Sequence, residues 1–200
     1  MGIFQARRRN TVVDNALTAV TFVLYAAPPF FVAILVIELF AIQLGWFPAQ
    51  ASQTGSAFAV FTDPRAMVLP VLTLSTTYFV VFVRYQRSAA LDQLGQDYIR
   101  VARAKGVSEG GIVRRHLLRN SSLPIITLLG LSVPGLLAGA LIIETVFNYP
   151  GLGLLFINSL QREDYPVLLA YALIGGVLTV LGNLLADIAI GVADPRVTLR

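Results

Sequence analysis

Asn120-Ser121-Ser122-Leu123-Pro124-Ile125-Ile126-Thr127-Leu128-Leu129-Gly130-Leu131-Ser132-Val133-Pro134-Gly135-Leu136-Leu137-Ala138-Gly139-Ala140-Leu141-Ile142-Ile143 is a run without a single charge, closed by Glu144. As a helix rising 1.5 Å per residue it reaches about 36 Å, enough for the ~30 Å hydrocarbon core of a bilayer. Three further blocks have the same character: about Ala26 to Trp46, Ala66 to Val83, and Tyr165 to Ala186. Hydrophobic residues make up 56% of the 200 and charged residues only 13%, where a soluble domain carries about 25% charged. That excess, gathered in blocks, predicts an all-α, polytopic membrane bundle of about four spans.

The first block is divided by Pro28-Pro29. The preceding segment, Val12 to Tyr25, either extends the helix or forms an interfacial elbow with the prolines as its bend. Trp46 and Phe47 suit the far membrane interface. Residues 48–65 read as a polar external loop, rich in Pro, Gly, Ser, Thr and Gln. Residues 1–11 read as a short N-terminal segment ahead of one transmembrane domain over 12–200, with an arginine-dense loop at 84–119.

Orientation follows from the cations. With the N-terminus, the 84–119 loop and the C-terminus on the cytoplasmic side, 13 of the 15 Lys and Arg residues lie there, leaving Arg65 and Arg162 outside. The positive-inside rule predicts this arrangement, with both termini cytoplasmic in a multi-pass cell-membrane protein. Arg7 to Arg9 precede an apolar stretch too long for a signal peptide, so that stretch reads as a retained anchor.

Other classes are excluded or disfavoured by composition. The chain has no cysteine and one histidine, His116, so it offers no disulfide, thiolate site or multi-histidine metal site. The net charge of +4 is juxtamembrane and carries no aromatic-basic recognition module, which argues against nucleic acid. No phosphate-binding glycine loop ending in Lys-Ser/Thr is present, so nothing here hydrolyses ATP.

The stretch Leu94-Gly95-Gln96-Asp97-Tyr98-Ile99-Arg100-Val101-Ala102-Arg103-Ala104-Lys105-Gly106 carries the most specific pattern. Asp97 favours the start of a short helix and Gly106 ends it in the left-handed region. Ser108, with Glu109 after it, caps a second helix running to about Asn120. Tyr98, Val101 and Ala102 fall on one face, and the small alanines leave room for a partner. A solvated basic connector is the plainer reading of the same residues.

This loop resembles the signature loop of binding-protein-dependent ABC importer permeases, and is most similar to the dipeptide, oligopeptide and nickel branch. Further segments agree in order: Leu44-Gly45-Trp46-Phe47-Pro48, Leu69-Pro70, His116-Leu117-Leu118-Arg119-Asn120, Leu123-Pro124, Glu144-Thr145-Val146-Phe147, Pro150-Gly151-Leu152-Gly153, Asp164-Tyr165-Pro166, Asn183-Leu184, Asp187 and Asp194-Pro195-Arg196. Two departures, Val101 before Ala102 and Arg119 after Leu118, fit the peptide branch. The resemblance implies six spans, of which this sequence matches from about the third, so the first helices are expected to be lacking. It also implies that Asp97, Tyr98, Ala102, Arg103, Ala104, Lys105 and Gly106 dock onto cytoplasmic ABC ATPase subunits. A second homologous permease subunit, an extracytoplasmic solute-binding protein and membrane lipid complete the implied partners. ATP and Mg would reside on the ATPase partners, and this chain would hold no cofactor.

Four residues are candidates for a translocation path or gate. Glu38 is the deepest carboxylate of the first block, and such groups face protein or water because a mid-membrane charge costs roughly 2.5–3.5 kcal/mol on insertion scales. An interfacial or protonated Glu38 is the alternative. Pro134 and Gly135 thin the third block, which suits either a cavity or ordinary bundle packing. Glu144 is open to a structural or a gating role, and Asn183 and Asp187 read as packing and boundary residues. The functional expectation is a permease subunit of an ATP-driven importer of peptides or a related small solute. A secondary transporter or channel, or a truncated remnant, are the alternatives; inverted repeats and paired intramembrane charges, which the former would show, are not visible.

Overall fold

The computed structural model describes residues 1–51 and 63–193. Most of the 48–65 loop and the Asp194-Pro195-Arg196 tail therefore lie outside the described residues. The rest is helical, with no strand among the described residues: α1 (Gly2–Arg7), α2 (Val12–Ala26), α3 (Pro29–Val36), α4 (Pro64–Leu94), α5 (Asp97–Ala104), α6 (Glu109–Ile112), α7 (Leu118–Ser121), α8 (Leu123–Val146), α9 (Leu152–Gln161) and α10 (Tyr165–Ala193). Wider π-helical turns continue α3 over Ile37–Gln43 and join α6 to α7 over Val113–Leu117.

Two described helices are long and apolar enough to cross a bilayer, Pro64–Leu94 and Tyr165–Ala189. The first expected block departs from its reading. α2 stops at Ala26, Pro28 is extended (φ −60°, ψ 140°), and α3 starts at Pro29. Pro29–Gln43 spans at most about 22 Å at 1.5 Å per residue, too short for ~30 Å of hydrocarbon. Only as a bent pair with Val12–Ala26 does it qualify as a third crossing. The elbow reading holds locally, because proline lacks the amide that would have continued the helix.

α4 runs on to Leu94, past the expected inner end at Val83, so residues 84–94 are helix rather than loop. α8 begins at Leu123, after a break at Ser122, and α10 extends beyond Ala186. Only 6% of the α10 window is buried. Leu169, Leu173, Val177, Val180 and Leu184 are all exposed. A helix apolar on every side and bare within its own chain needs lipid or another protein around it.

The chain divides into two compact units. The first holds Met1–Tyr25, Phe79–Leu131 and the chain from Asn183; the second holds Ala26–Tyr78 and Ser132–Gly182. In the second, Ala33, Leu69, Ile143 and Phe147 form the core, with Val36, Phe40, Leu74 and Tyr149 against it. Phe147 is 1% exposed and its carbonyl accepts from Ala51 N–H at 3.1 Å, seating the start of the 48–65 loop. Arg65 donates to the Trp46 carbonyl at 2.8 Å, so one of the two cations expected outside closes that loop's ends.

In the first unit, Ala6, Ala90 and Leu117 pack together, joining α1, α4 and the end of the π-helical segment. Gly2 lies so close to α4 that a Cβ there would meet the Val83 carbonyl oxygen and the Arg87 nitrogen. α2 is opened by local chemistry: the Thr11 hydroxyl accepts from Asp14 N–H at 3.3 Å, and the Asp14 carboxylate accepts from Asn10 N–H at 3.1 Å. The Thr11 hydroxyl thus satisfies one donor that a helix start leaves free, while the Asp14 carboxylate reaches back to the residue before the cap.

Candidate functional site

The hairpin from Gln96 to Ser121 is built by its turn. Gly106 is left-handed (φ +78°), Val107 N–H donates to the Ala102 carbonyl at 3.1 Å, and Gly106 N–H donates to Arg103 at 2.9 Å. Those two bonds around a left-handed residue are a Schellman ending, and its usual apolar contact is made by Val107 against the Ala102 cluster. Ser108 then caps α6, its Oγ accepting from Gly111 N–H at 3.3 Å. Asp97 is the first helical residue of α5 after Gln96. It favours the helix start through its charge and pairs with Arg100 at 3.3 Å.

The face offered outward differs from the expected one. Ile99 (0% exposed) and Ala102 (7%) are buried against Ile112, whereas Val101 is 51% exposed. Tyr98 points inward as well. Its hydroxyl donates to Gln93 Oε1 at 2.6 Å and accepts from Asn120 Nδ2 at 2.9 Å, with its ring 6.0 Å from that of His116. Arg103 reaches across the turn to Glu109 at 2.7 Å. Of the seven docking candidates, Tyr98 and Ala102 are turned into the hairpin, while Arg103 and Gly106 are exposed but engaged in its turn. Asp97, Ala104 and Lys105 are also exposed, and Asp97, Arg100, Val101 and Ala104 form an exposed helical stripe.

The hairpin is fastened to the C-terminal end of α4. Leu117 packs on Ala90, Gln86 donates to the Ser121 hydroxyl at 2.7 Å, and that hydroxyl donates to the Leu117 carbonyl at 2.7 Å. Buried Ser121 and Leu117 leave little room for the hairpin to tilt without α4.

Arg103 beside Glu109 holds the glutamate carboxyl below its ordinary value, chiefly through the hydrogen bond. A depressed carboxylate contributes stability above its unfolded pKa and loses that contribution as pH falls through the folded one. Both side chains are about half exposed, so solvent screening keeps the effect small. Exchange protection of the Val107 amide is expected to fall roughly twofold below about pH 4. Glu109→Gln should show the weaker protection at every pH; equal protection in both proteins near neutral pH would refute the pair's role.

At the other end of the chain, Glu144 is a helix cap. Its Oε2 accepts from Gly153 N–H at 2.7 Å and Leu154 N–H at 3.0 Å, both in the first turn of α9. The glycines around it are steric requirements. A Cβ on Gly151 would overlap the Glu144 carboxylate, and one on Gly153 would overlap the Leu141 backbone. The Pro150-Gly151-Leu152-Gly153 stretch thus lets α9 lie directly on α8. Glu144 thus has a structural contact, joining the end of α8 to the first turn of α9.

The remaining path candidates are Glu38, Pro134 and Gly135. Glu38 is exposed on the π-helical turn, its Oε1 accepting from Gln43 Nε2 at 3.2 Å. Pro134 and Gly135 lie within α8, and their surroundings lie outside the described residues. Missed entirely by local patterns is the pair Asp14–Arg87. Nε and Nη2 of Arg87 bind the two Asp14 oxygens at 3.0 and 2.8 Å, and Asp14 is 1% exposed. The Thr11–Asp14 spacing signals a helix start, but nothing local announces a partner 73 residues away.

These features define a multi-pass, all-α membrane protein that carries a preformed helical hairpin at the end of a long apolar helix. The chain belongs to the family of binding-protein-dependent transport system inner membrane components, whose sequence pattern it matches over residues 1–199. It is 40% identical to the oligopeptide transport system permease protein AppB of Bacillus subtilis, over 98% of this chain and 62% of the relative. It is 37% identical to the dipeptide transport system permease protein DppB of the same organism, over 100% of this chain and 62% of the relative. The Escherichia coli dipeptide permease DppB is 34% identical, over 98% and 65%. The chain thus spans under two thirds of the length of each of these relatives.

Proposed function

We propose that the chain acts as the permease subunit, or the larger part of one, of an ATP-driven importer for peptides or a related small solute. The observation that carries this reading is the hairpin. It presents a short exposed stripe, Asp97, Arg100, Val101 and Ala104, on a body locked to α4. The names of the relatives support the transport class and the peptide substrate. The cation asymmetry supports a cytoplasmic hairpin and cytoplasmic termini.

In this reading the stripe docks onto an ABC ATPase that binds ATP and Mg, and a second permease subunit flanks the bare apolar helices. A solute-binding protein delivers cargo from outside. Closure of the ATPases pushes the hairpin, and the Gln86–Ser121 and Leu117–Ala90 contacts carry that motion into α4, shifting the pathway between outward and inward access. Glu38, Pro134 and Gly135 remain the path candidates, and Glu144 shapes the outer end by holding α9.

Cysteine crosslinking tests the docking. In the assembled complex, Ala104→Cys should crosslink to the ATPase and Ala102→Cys should not, because the Ala102 side chain is covered by Ile112 and Val107. No crosslink from Ala104→Cys or Val101→Cys in a verified complex would overturn the reading. Import driven by a proton or sodium gradient without ATP would favour a secondary transporter instead.

A further inference from the structure

Arg84 is the first charge after the uncharged run of α4, and it is left without an acidic partner among the described residues. Its guanidinium carbon lies 4.1 Å from the Tyr25 ring centroid and 5.8 Å from that of Phe22. Those rings fix the cation over α2 by cation–π attraction without neutralising it. One turn on, Arg87 is already satisfied by Asp14. The unspent positive charge of this corner therefore belongs to Arg84.

Two clefts meet at this residue. One, of about 270 Å³, is lined by Gln5, Thr18, Thr21, Arg84 and Ser88 among others. The second, of about 320 Å³, is lined by Tyr25, Val81, Arg84, Tyr85 and Ser88. Gln5, 1% exposed, donates to Thr18 Oγ1 at 3.4 Å, while its Oε1 has no partner. The rim is amphipathic: Phe22, Tyr25 and Tyr85 are all more than half exposed.

We propose that this cleft around Arg84 holds the phosphate of an anionic phospholipid. Arg84 supplies the charge-assisted hydrogen bonds, with the Ser88 hydroxyl, which lines both clefts, as a neutral partner for headgroup oxygens. The exposed aromatic rim and the apolar face of α4 beyond Val81 favour a lipid over a free anion, because they offer acyl chains a surface that inorganic phosphate cannot use. The proposal rests on membrane residence and not on import, so a protein that fails to transport leaves it standing.

The test uses the full chain extracted from membranes and placed in nanodiscs of phosphatidylglycerol or phosphatidylcholine, with retained lipid counted by native mass spectrometry. Phosphatidylglycerol should be retained preferentially, and Arg84→Gln should lower its retention roughly fivefold, the effect of one cation near an anionic surface. Arg84→Lys should keep most of it. Ser88→Leu, which fills both clefts without changing charge, should also reduce it. Excess inorganic phosphate should leave retention unchanged. Equal retention of the two lipids, or wild-type retention by Arg84→Gln and Ser88→Leu, would overturn the proposal. Displacement of the lipid by inorganic phosphate would show a simple anion site and overturn it too.

Discussion

Gly153→Ala is expected to destabilise the protein more than any other single-methyl addition in the Pro150–Gly153 stretch. The new Cβ would meet the Cα, N and Cβ of Leu141, so the obstacle is the backbone of α8. Adding a methylene to a packed contact commonly costs about 1–3 kcal/mol. Here the relief route makes matters worse, because moving α9 away from α8 also withdraws the Gly153 and Leu154 amides from Glu144. Losing hydrogen bonds to a charged group adds roughly 1.5–3 kcal/mol. Gly151→Ala should cost less, since its obstacle is the Glu144 carboxylate, the end of a side chain that can rotate. Glu144→Gln should cost less still, about 1–2 kcal/mol, because an acceptor remains. Melting of the membrane-extracted protein should rank the three in that order. A Gly153→Ala protein melting with the wild type would show that α8 and α9 do not pack as described.

Breaking the Asp14–Arg87 pair should be strongly asymmetric. Asp14 is 1% exposed while the Arg87 side chain is 26% exposed. Arg87→Met strands a buried carboxylate that keeps only the Asn10 amide and nearby hydroxyls, at a cost of about 3 kcal/mol or more. Asp14→Asn leaves an arginine that can swing to solvent and retains an acceptor, so about 1–2 kcal/mol is expected. The double variant should melt above Arg87→Met alone, because no charge is then left uncompensated. Equal single effects that simply add would show that the two residues do not depend on each other.

The hairpin from Gln96 to Ser121 shows how sequence and structure divide the information. Gly106 in the left-handed region and Ser108 as a cap were both legible, because each depends on backbone chemistry within four residues. Which side of α5 faces out was not. Spacing alone placed Tyr98, Val101 and Ala102 on one face; packing of Ile99 and Ala102 onto Ile112 rotates Val101 and Ala104 outward instead. The Ala-x-Ala-x-Gly pattern is thus half a folding signal, with Ala102 small so that Val107 can close the turn and Ala104 small on the exposed stripe.

Glu144 and Pro150-Gly151-Leu152-Gly153 were recognisable as separate fragments, yet their relation is a matter of one carboxylate reaching the amides of another helix. The first apolar block was long enough on paper, and the Ala27-Pro28 break divides it at the point where proline removes an amide.

The membrane class was determined by the sequence alone. Apolar blocks and charge placement report on transfer from water to lipid, a property of each segment in isolation. The salt bridge across 73 residues, the outward stripe of the hairpin and the capping of α9 by Glu144 were decided only by tertiary structure. Each depends on which surfaces meet in space, and side-chain periodicity along one helix does not specify its partner.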